Sequence, residues 1–284
     1  MPTITLAYAP FPYQREFHDS KARWRVVLGG RRSGKSVAAL QELVRHALTT
    51  PDANAWWVSP TIADARDVGW EGFKEELLDD LRPLVRTTNE VRMSVRFRNG
   101  SRITFKGAEA ERPLRGRRVT FVVVDEAAFV DEDRWTRAIR PALADCQGRG
   151  ILCTTPNGLN WIHKLWEFAA TRANFQRFHW PSWVNPILSK EELEDAKASL
   201  DPREWEQEFE AKFVSRAGQV YPDFSDANIV EPRSPSLVDH NVYIGIDPGF
   251  ATHAAVVFLA IPCTSKHATA STLHNAGPWI SMLR

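Results

Sequence analysis

Residues 29–36, with the sequence GGRRSGKS, constrain the fold of this chain more than any other stretch. They carry the spacing Gly-x4-Gly-Lys-Ser between an apolar run, which predicts a buried strand, and a segment with apolar residues at helical spacing. Glycines let backbone N–H groups approach phosphate, and a helix N-terminus favours negative charge. The pattern predicts a phosphate-binding loop whose nucleotide-contacting residues are Gly29, Gly30, Arg31, Arg32, Ser33, Gly34, Lys35 and Ser36.

Two acids follow a second apolar run, TFVVVDEAAF at residues 120–129. A loop of this kind needs a second acid for its metal, so we expect Ser36 and Asp125 to bind Mg²⁺ while Lys35 holds the β- and γ-phosphates of ATP. Glu126 is then placed to polarise the attacking water as a general base. The alternative is that both acids only begin the next helix.

A third strand is predicted at residues 150–158, GILCTTPNG, and it ends in hydroxyls and a turn. In sheets of this kind ligands lie at the carboxyl ends of the strands, so Thr154 and Thr155 are candidates to touch the γ-phosphate or the water. An ordinary strand-end turn explains the same residues without any function.

Strands that alternate with helices predict an α/β fold with a mostly parallel sheet covered on both faces. Further strands are expected at residues 55–60 and 242–250, and a helix is expected at 61–81. Ser189 with Glu192, and Asp201 before Pro202, indicate the starts of two acidic helices in a lid or linker region.

An antiparallel hairpin is predicted over residues 91–105, with its turn at Asn99-Gly100. A three-residue loop, 99–101, pairs Phe97 with Ile103 and Val95 with Phe105, and this register makes one face apolar.

Charge does not by itself identify a partner, because the 284-residue chain has a formal net charge of only +1. Residues 82–118 nevertheless hold eleven basic and three acidic side chains, a net of +8. This basic run is either a DNA or partner surface or a solvated face balanced by the acids of residues 191–210.

Cysteine usage and hydropathy indicate a reduced, cytosolic setting. Cys146, Cys153 and Cys263 have no metal-ligand spacing, no signal peptide is evident at the start, and no apolar stretch approaches membrane-spanning length. We therefore expect no membrane association.

The motifs in their order resemble the large terminase subunit, the DNA-packaging motor protein of tailed bacteriophages. The resemblance extends to about residue 250 and rests on YQREF, GGRRSGKS, VVVDEAAF, TTPNG, WEQEFEAKF…GQVYPDF and IGIDPGF. It implies an additional-strand, catalytic-glutamate P-loop NTPase at residues 1–180, a linker subdomain at 181–238 and the start of a ribonuclease-H-like nuclease at 239–284. It also implies ATP and Mg²⁺ as cofactors and the bacterial host cytosol as location. The implied partners are double-stranded DNA, a portal protein, a small terminase subunit, a procapsid and further copies of the chain.

The resemblance assigns roles to single residues. Gln14 matches the adenine-contacting glutamine, Arg31 the arginine inside the phosphate loop, and Thr154 with Thr155 the motif that couples hydrolysis to DNA movement. An arginine that reaches the γ-phosphate is worth roughly 10³–10⁵ in rate. We expect Arg31 to act as such a finger in cis, and Arg32 to point to solvent or to a neighbouring subunit.

Asp247 matches the first metal-binding aspartate of the nuclease, and here the sequence departs from the family. A two-metal nuclease needs several carboxylates around ions about 4 Å apart. The 44 residues 241–284 contain no acid besides Asp247, and residues 262–284 show no strand or helix periodicity. A truncated or frame-shifted nuclease without activity is therefore expected.

Two other functions compete with an ATP-hydrolysing packaging motor. A helicase-like DNA-dependent ATPase is the first, although residues 181–284 are too few and too unlike the first lobe for a second motor lobe. The second is an inactive prophage relic that binds nucleotide or DNA without doing work.

Overall fold

The computed structural model describes residues 7–109, 114 and 118–214, together with three strands between residues 240 and 283. The chain divides into two compact units, Met1–Ala217 and Gly218–Arg284. The three-part division at residues 180 and 238 remains a prediction. In the described parts, none of the helices combines the length and the apolar character needed to cross a bilayer.

The first unit is built on an eight-stranded sheet in the order β3-β4-β5-β2-β6-β7-β1-β8. Pairing is parallel from β5 to β8 in this order, and β3 and β4 add an antiparallel edge. β7 lies between β1, which leads into the phosphate loop, and β6, which ends in the acids. The predicted mostly parallel sheet with an additional strand is confirmed. The strands are β1 (Trp24–Gly29), β2 (Asn54–Ser59), β3 (Val85–Asn89), β4 (Ser94–Phe97), β5 (Arg102–Gly107), β6 (Phe121–Asp125), β7 (Arg149–Thr154) and β8 (Phe175–Trp180).

Helices cover both faces of this sheet. In α3 and α4, α-helical and π-helical turns alternate. Short 3₁₀ turns lie at Arg82–Leu84, Ala127–Phe129 and Ser182–Val184. The helices are α1 (Pro12–Asp19), α2 (Lys35–Thr49), α3 (residues 62–81: Ile62–Asp64, Ala65–Trp70, Glu71–Phe73, Lys74–Leu78, Asp79–Leu81), α4 (residues 132–142: Glu132–Arg134, Trp135–Ile139, Arg140–Ala142), α5 (Trp161–Ala170), α6 (Lys190–Ser199) and α7 (Pro202–Glu208).

The two acidic helices begin where the sequence predicts. Ser189 accepts a hydrogen bond from the Glu192 N–H at 3.1 Å, and Asp201 accepts one from the Arg203 N–H at 2.9 Å. These side chains satisfy N–H groups that have no partner within the helix.

Tryptophans on both faces of the sheet supply much of the core. Successive side chains of a strand point to opposite faces, so Trp56 packs in one cluster with Trp24 and Trp135, and Trp57 packs in the other with Trp70. Both β2 tryptophans are 1% exposed. Both faces of the sheet are therefore packed into the core, which holds the strand ends in fixed positions.

The hairpin is antiparallel as predicted, but the predicted register is wrong by two residues. Val95 lies opposite Ile103, and the Phe97 N–H donates to the Ser101 carbonyl at 2.9 Å. Asn99 explains the shift, because its side chain donates to the Ala47 and Leu48 carbonyls at the end of α2. A shift of two residues preserves the side-chain alternation, so the apolar residues remain buried.

The sequence analysis did not predict three elements whose apolar residues show no clear strand or helix periodicity, β3, β8 and α4. β3 lies at the sheet edge with four of its five residues exposed, and its sequence VRTTN shows no alternation. β8 lies at the other edge, and α4 contains a proline, Pro141, in its last turn. Val91, predicted within the hairpin strand, is exposed and precedes β4.

The second unit contains a three-stranded antiparallel sheet in the order β11-β10-β9. Its strands are β9 (His240–Asp247), β10 (Ala255–Pro262) and β11 (Trp279–Leu283). The strand predicted near residue 242 is confirmed as far as Asp247, which ends β9 opposite Ala255. Residues 248–250 and Cys263 lie outside the described residues. The expectation that the tail has no regular structure is wrong for residues 279–283, which pair with β10.

Candidate nucleotide-binding and hydrolysis site

The predicted phosphate loop joins the end of β1 to the start of α2. Gly34 is the N-cap of this 15-residue helix and has φ +80°, a conformation that side-chain-bearing residues rarely adopt. The positive end of a helix thus adjoins the loop.

The loop residues fit a polyphosphate. The Ser33 hydroxyl is buried and has no hydrogen-bond partner among the described residues, so it is available to a ligand oxygen. A Cβ at Gly29 would lie 2.5 Å from that hydroxyl, and one at Gly34 would lie 2.8 Å from Gln14 Nε2. A side chain at either position would therefore require Ser33 or Gln14 to move.

The loop lysine and serine face the ends of β6 and β7. Lys35 Nζ lies 3.1 Å from Glu126 Oε1 and 3.1 Å from Thr155 Oγ1. Ser36 Oγ donates to Asp125 Oδ1 at 3.0 Å. Five residues predicted from separate motifs thus meet at the carboxyl end of a parallel sheet.

Glu126 is held by the backbone as well as by its neighbours. It has φ +46° and ψ +47°, a left-handed conformation that costs a non-glycine residue about 1–3 kcal/mol. Its Oε2 accepts the Thr155 N–H at 3.3 Å and lies 3.2 Å from Thr154 Oγ1. This turn directs the carboxylate towards the end of β7.

Asp125 is buried beside a second donor. Burial, and then the charge of Glu126, raise the pKa of Asp125 to about 6. Cys153 Sγ donates to Asp125 Oδ1 at 3.2 Å, and burial raises the pKa of this thiol further above its usual range. The thiol therefore stays neutral and acts as a donor to the acid.

Gln14 lies on α1 against the loop. Its Oε1 accepts the Phe11 N–H at 3.0 Å and its Nε2 donates to the Gly34 carbonyl at 3.4 Å. Gln14 is thus next to the phosphate loop, and its contact with adenine stays a prediction.

The two loop arginines differ in their contacts. Arg31 Nε donates to Glu208 Oε2 at 2.9 Å, and the Arg31 N–H donates to the Glu208 carbonyl at 2.7 Å. Arg32 has φ +58° and an exposed side chain. In this structure, Arg31, the residue expected to act as the arginine finger, is therefore bound to Glu208 on α7.

One pocket is lined by both loop arginines together with Lys35, Glu126 and Thr155. It has a volume of about 550 Å³, which is within the range of small-molecule sites. No group of three metal-binding side chains occurs among the described residues, so an ion here needs further ligands from nucleotide or water. The pocket is lined by Arg31, Arg32, Lys35, Glu126, Phe129, Thr155, Leu188, Glu192, Leu193, Glu208 and Phe209.

Residues of the predicted lid or linker take part in the site, and sequence reasoning gave them no roles. Glu208 holds Arg31, and Gln207 Oε1 accepts the Gly158 N–H at 3.3 Å in the turn that follows Thr155. Their only sequence signal was the WEQEFE element, which says nothing about what each residue contacts.

Known proteins share this architecture. A sequence model described as terminase large subunit, T4likevirus-type, N-terminal, matches residues 26–225. The large terminase subunit of Thermus phage G20c is 30% identical over 287 residues, covering 86% of this chain and 58% of that protein. The corresponding protein of Thermus virus P23-45 is 29% identical with the same coverages. The chain thus spans little more than half the length of these relatives.

Solved structures agree with the sequence match. The ATPase domain of the Thermus phage P74-26 large terminase superposes with a TM-score of 0.65 at 28% identity, covering 74% of this chain and 96% of that domain. The large terminase of another thermophilic bacteriophage, in complex with ADP, has a TM-score of 0.64 at 17% identity, covering 89% and 66%, and shows the likeness of fold alone. The chain therefore belongs to the terminase large subunit family, with the P-loop fold of its ATPase domain.

Proposed function

We propose that this chain hydrolyses ATP with Mg²⁺ and that, in an assembled terminase, hydrolysis drives double-stranded DNA into a procapsid. The meeting of Lys35, Ser36, Asp125, Glu126 and Thr155 at the carboxyl end of the parallel sheet carries this proposal. The P74-26 relative is described as an ATPase domain, and the other thermophilic phage terminase was solved with ADP and with ATP-γ-S.

The charged groups suit phosphoryl transfer to water. Lys35 is paired with Glu126 in this structure and would turn to the β- and γ-phosphates of a bound nucleotide, and Ser36 and Asp125 would hold Mg²⁺. Mg²⁺, when bound, supplies charge neutralisation on the phosphate oxygens. Glu126, released from the lysine, accepts a proton from the attacking water.

Thr154 and Thr155 connect hydrolysis to the rest of the fold in this proposal. Thr155 Oγ1 accepts from Lys35, and the Thr155 N–H donates to Glu126. Any displacement of either charged group on phosphate loss therefore reaches the end of β7 directly. We propose that Thr154 and Thr155 transmit the loss of the γ-phosphate from the pocket to β7 in this way.

ATP turnover by purified protein tests the activity. Lys35→Ala and Glu126→Ala should each abolish turnover while circular dichroism stays unchanged, and Lys164→Ala, exposed on α5, is the matched control. Unchanged hydrolysis in both pocket variants would refute the proposal. Nucleotide binding without hydrolysis, with or without DNA, would favour the relic, and unwinding of a forked duplex would favour the helicase.

We further propose that the described part of the basic run contacts the DNA backbone. Arg86, Arg92, Arg96 and Arg98 are exposed around β3 and β4, and none has an ion-pair partner among the residues that the structure describes. Arg112, Arg115 and Arg117 lie outside those residues. Unpaired arginines gain affinity by releasing counterions from phosphates.

Salt dependence of DNA binding checks this assignment. Replacing Arg86, Arg96 and Arg98 together by alanine should weaken binding of any duplex sequence and lower the slope of log K against log salt by about 2–3. Replacing three exposed arginines outside the basic run, Arg137, Arg140 and Arg172, is the control. An unchanged slope would favour a solvated face instead.

Partners and location follow from the same proposal. We propose that the active form is a homo-oligomer bound to portal protein, small terminase subunit and procapsid in the bacterial host cytosol. ATP hydrolysis measured with and without DNA and portal tests this, and stimulation by both is the expected result.

A further inference from the structure

The outer side of the phosphate loop is tied down by side chains from two other segments. Four successive carbonyls each accept a hydrogen bond from a side chain, and we call these side-chain donors the carbonyl clamp; the Gly34 carbonyl also accepts the Ala38 N–H at 3.0 Å. Ser182 Oγ donates to Arg31 O at 2.6 Å, Asn185 Nδ2 to Arg32 O at 2.7 Å, Tyr13 Oη to Ser33 O at 2.9 Å and Gln14 Nε2 to Gly34 O at 3.4 Å.

This arrangement decides where the loop N–H groups point. In a trans peptide the carbonyl and the next residue's N–H project in opposite directions. Outward carbonyls at Ser33 and Gly34 therefore turn the N–H groups of Gly34 and Lys35 to the inner side of the loop. Successive N–H groups directed into one concavity form an anion-binding site.

The clamp donors are themselves held in place. Ser182 is 0% exposed and its N–H donates to the Phe209 carbonyl at 2.8 Å. The Tyr13 ring packs edge-on against Trp180, with ring centroids 5.2 Å apart. Asn185 Oδ1 accepts the Ile187 N–H at 3.0 Å, which fixes the orientation of its amide. Each donor can therefore hold its carbonyl without losing much side-chain entropy on binding.

We propose that Tyr13, Ser182 and Asn185 are positioning residues that preorganise the loop for the phosphates of a nucleotide. The inference rests on the proposed nucleotide site and adds residues whose side-chain donors bond carbonyls of the loop. A preorganised loop avoids an ordering cost when the ligand binds. One net hydrogen bond is worth about 0.5–1.5 kcal/mol, so loss of one donor should weaken binding about 2- to 10-fold.

Two hydroxyl deletions test the clamp in the full chain. Tyr13→Phe and Ser182→Ala each remove one donor, and Tyr8→Phe and Ser20→Ala remove hydroxyls of matching type that bond His18 and Gln176 instead. Calorimetric titration gives Kd for ADP and for pyrophosphate, which lacks the base. Thermal unfolding reports stability separately.

The clamp predicts that Tyr13→Phe and Ser182→Ala weaken ADP and pyrophosphate by the same factor, about 2- to 10-fold, and that the double variant weakens both further. The control variants should bind like the wild type at a comparable Tm. If the clamp variants lower only the Tm and leave both Kd values unchanged, the inference is overturned. Failure of the wild type to bind either ligand would instead overturn the nucleotide site, and the clamp with it.

Discussion

Arg31, inside the phosphate loop, is hydrogen-bonded through its guanidinium to Glu208 on α7, 177 positions later in the chain, at 2.9 Å. The Arg31 side chain is 68% exposed, so this ion pair contributes no more than about 1 kcal/mol. A desolvated hydrogen bond from Arg31 to phosphate oxygens is stronger than this exposed ion pair. Arg31 can therefore release Glu208 when nucleotide binds.

Arg31→Ala should reduce kcat for ATP far more than Arg32→Ala. If Arg31 serves as a finger in cis, its loss costs about 10³-fold or more, while exposed Arg32 should change kcat by less than about 3-fold. Steady-state ATP hydrolysis with both single variants measures this. Equal small effects would refute the assignment.

Glu208→Gln offers a second view of the same pair. This substitution weakens the Arg31–Glu208 ion pair but leaves the loop intact. We therefore expect Arg31 to reach the phosphates more readily, and KM for ATP to fall by about 2- to 5-fold. Combining Glu208→Gln with Arg31→Ala should erase the gain. A gain that persists in the double variant would mean that Glu208 acts on another group.

Glu42 anchors α1 and β1 to α2 through three hydrogen-bonding partners. Its carboxylate lies 2.6 Å from Arg25 Nη1, 2.7 Å from Arg45 Nη2 and 2.7 Å from His18 Nδ1, and the Arg25 side chain is 1% exposed. Glu42→Ala leaves the buried guanidinium without its carboxylate, so the free energy of unfolding should fall by about 3–5 kcal/mol. Urea denaturation measures this, and Asp79→Ala, in an exposed pair with Arg82, should cost less than about 1 kcal/mol.

The pKa of the Glu42 carboxylate leads us to expect that the free energy of unfolding depends on pH. Burial alone would raise the pKa of Glu42, but His18, Arg25 and Arg45 together outweigh burial and lower it from 4.5 to about 2. The folded chain then binds this proton less tightly than the unfolded chain. Its contribution, on the order of 3 kcal/mol, is fully present above about pH 4.5 and is lost as the pH falls towards 2.

Denaturation midpoints across the acidic range, from about pH 2 to about pH 6, check this dependence. The wild type should lose more stability than Glu42→Gln over that window, because the variant has no proton to take up at this position. Parallel pH profiles for the two proteins would contradict the assignment.

Asp247 ends β9 as the only acid of residues 241–284. One carboxylate cannot hold two metal ions, so we expect this chain alone to leave plasmid DNA uncut in Mg²⁺ or Mn²⁺. Gel analysis of plasmid incubated with purified protein is the measurement. Metal-dependent cutting that Asp247→Ala abolishes would show that other carboxylates complete the site.

Sequence reasoning reached the parts of the site that depend on local pattern. The loop before α2, the acids at the end of β6 and the hydroxyls at the end of β7 each stand in a short motif with its own chemistry. A parallel sheet gathers the carboxyl ends of its strands, so their convergence could be expected before any coordinates.

Contacts between distant segments required the tertiary structure. The hairpin register shifted by two residues because Asn99 bonds the end of α2, a contact that no strand alternation encodes. Likewise, Arg31 meets Glu208, and Ser182 meets the Arg31 carbonyl, only because α7 and the 182–184 turn pack beside the loop. The chain's local patterns determined its central parallel strands, its phosphate loop and its acids, since these depend on neighbours in sequence. Packing alone decided which side chains hold the loop and its arginine, since long-range partners are selected by geometry that periodicity does not record.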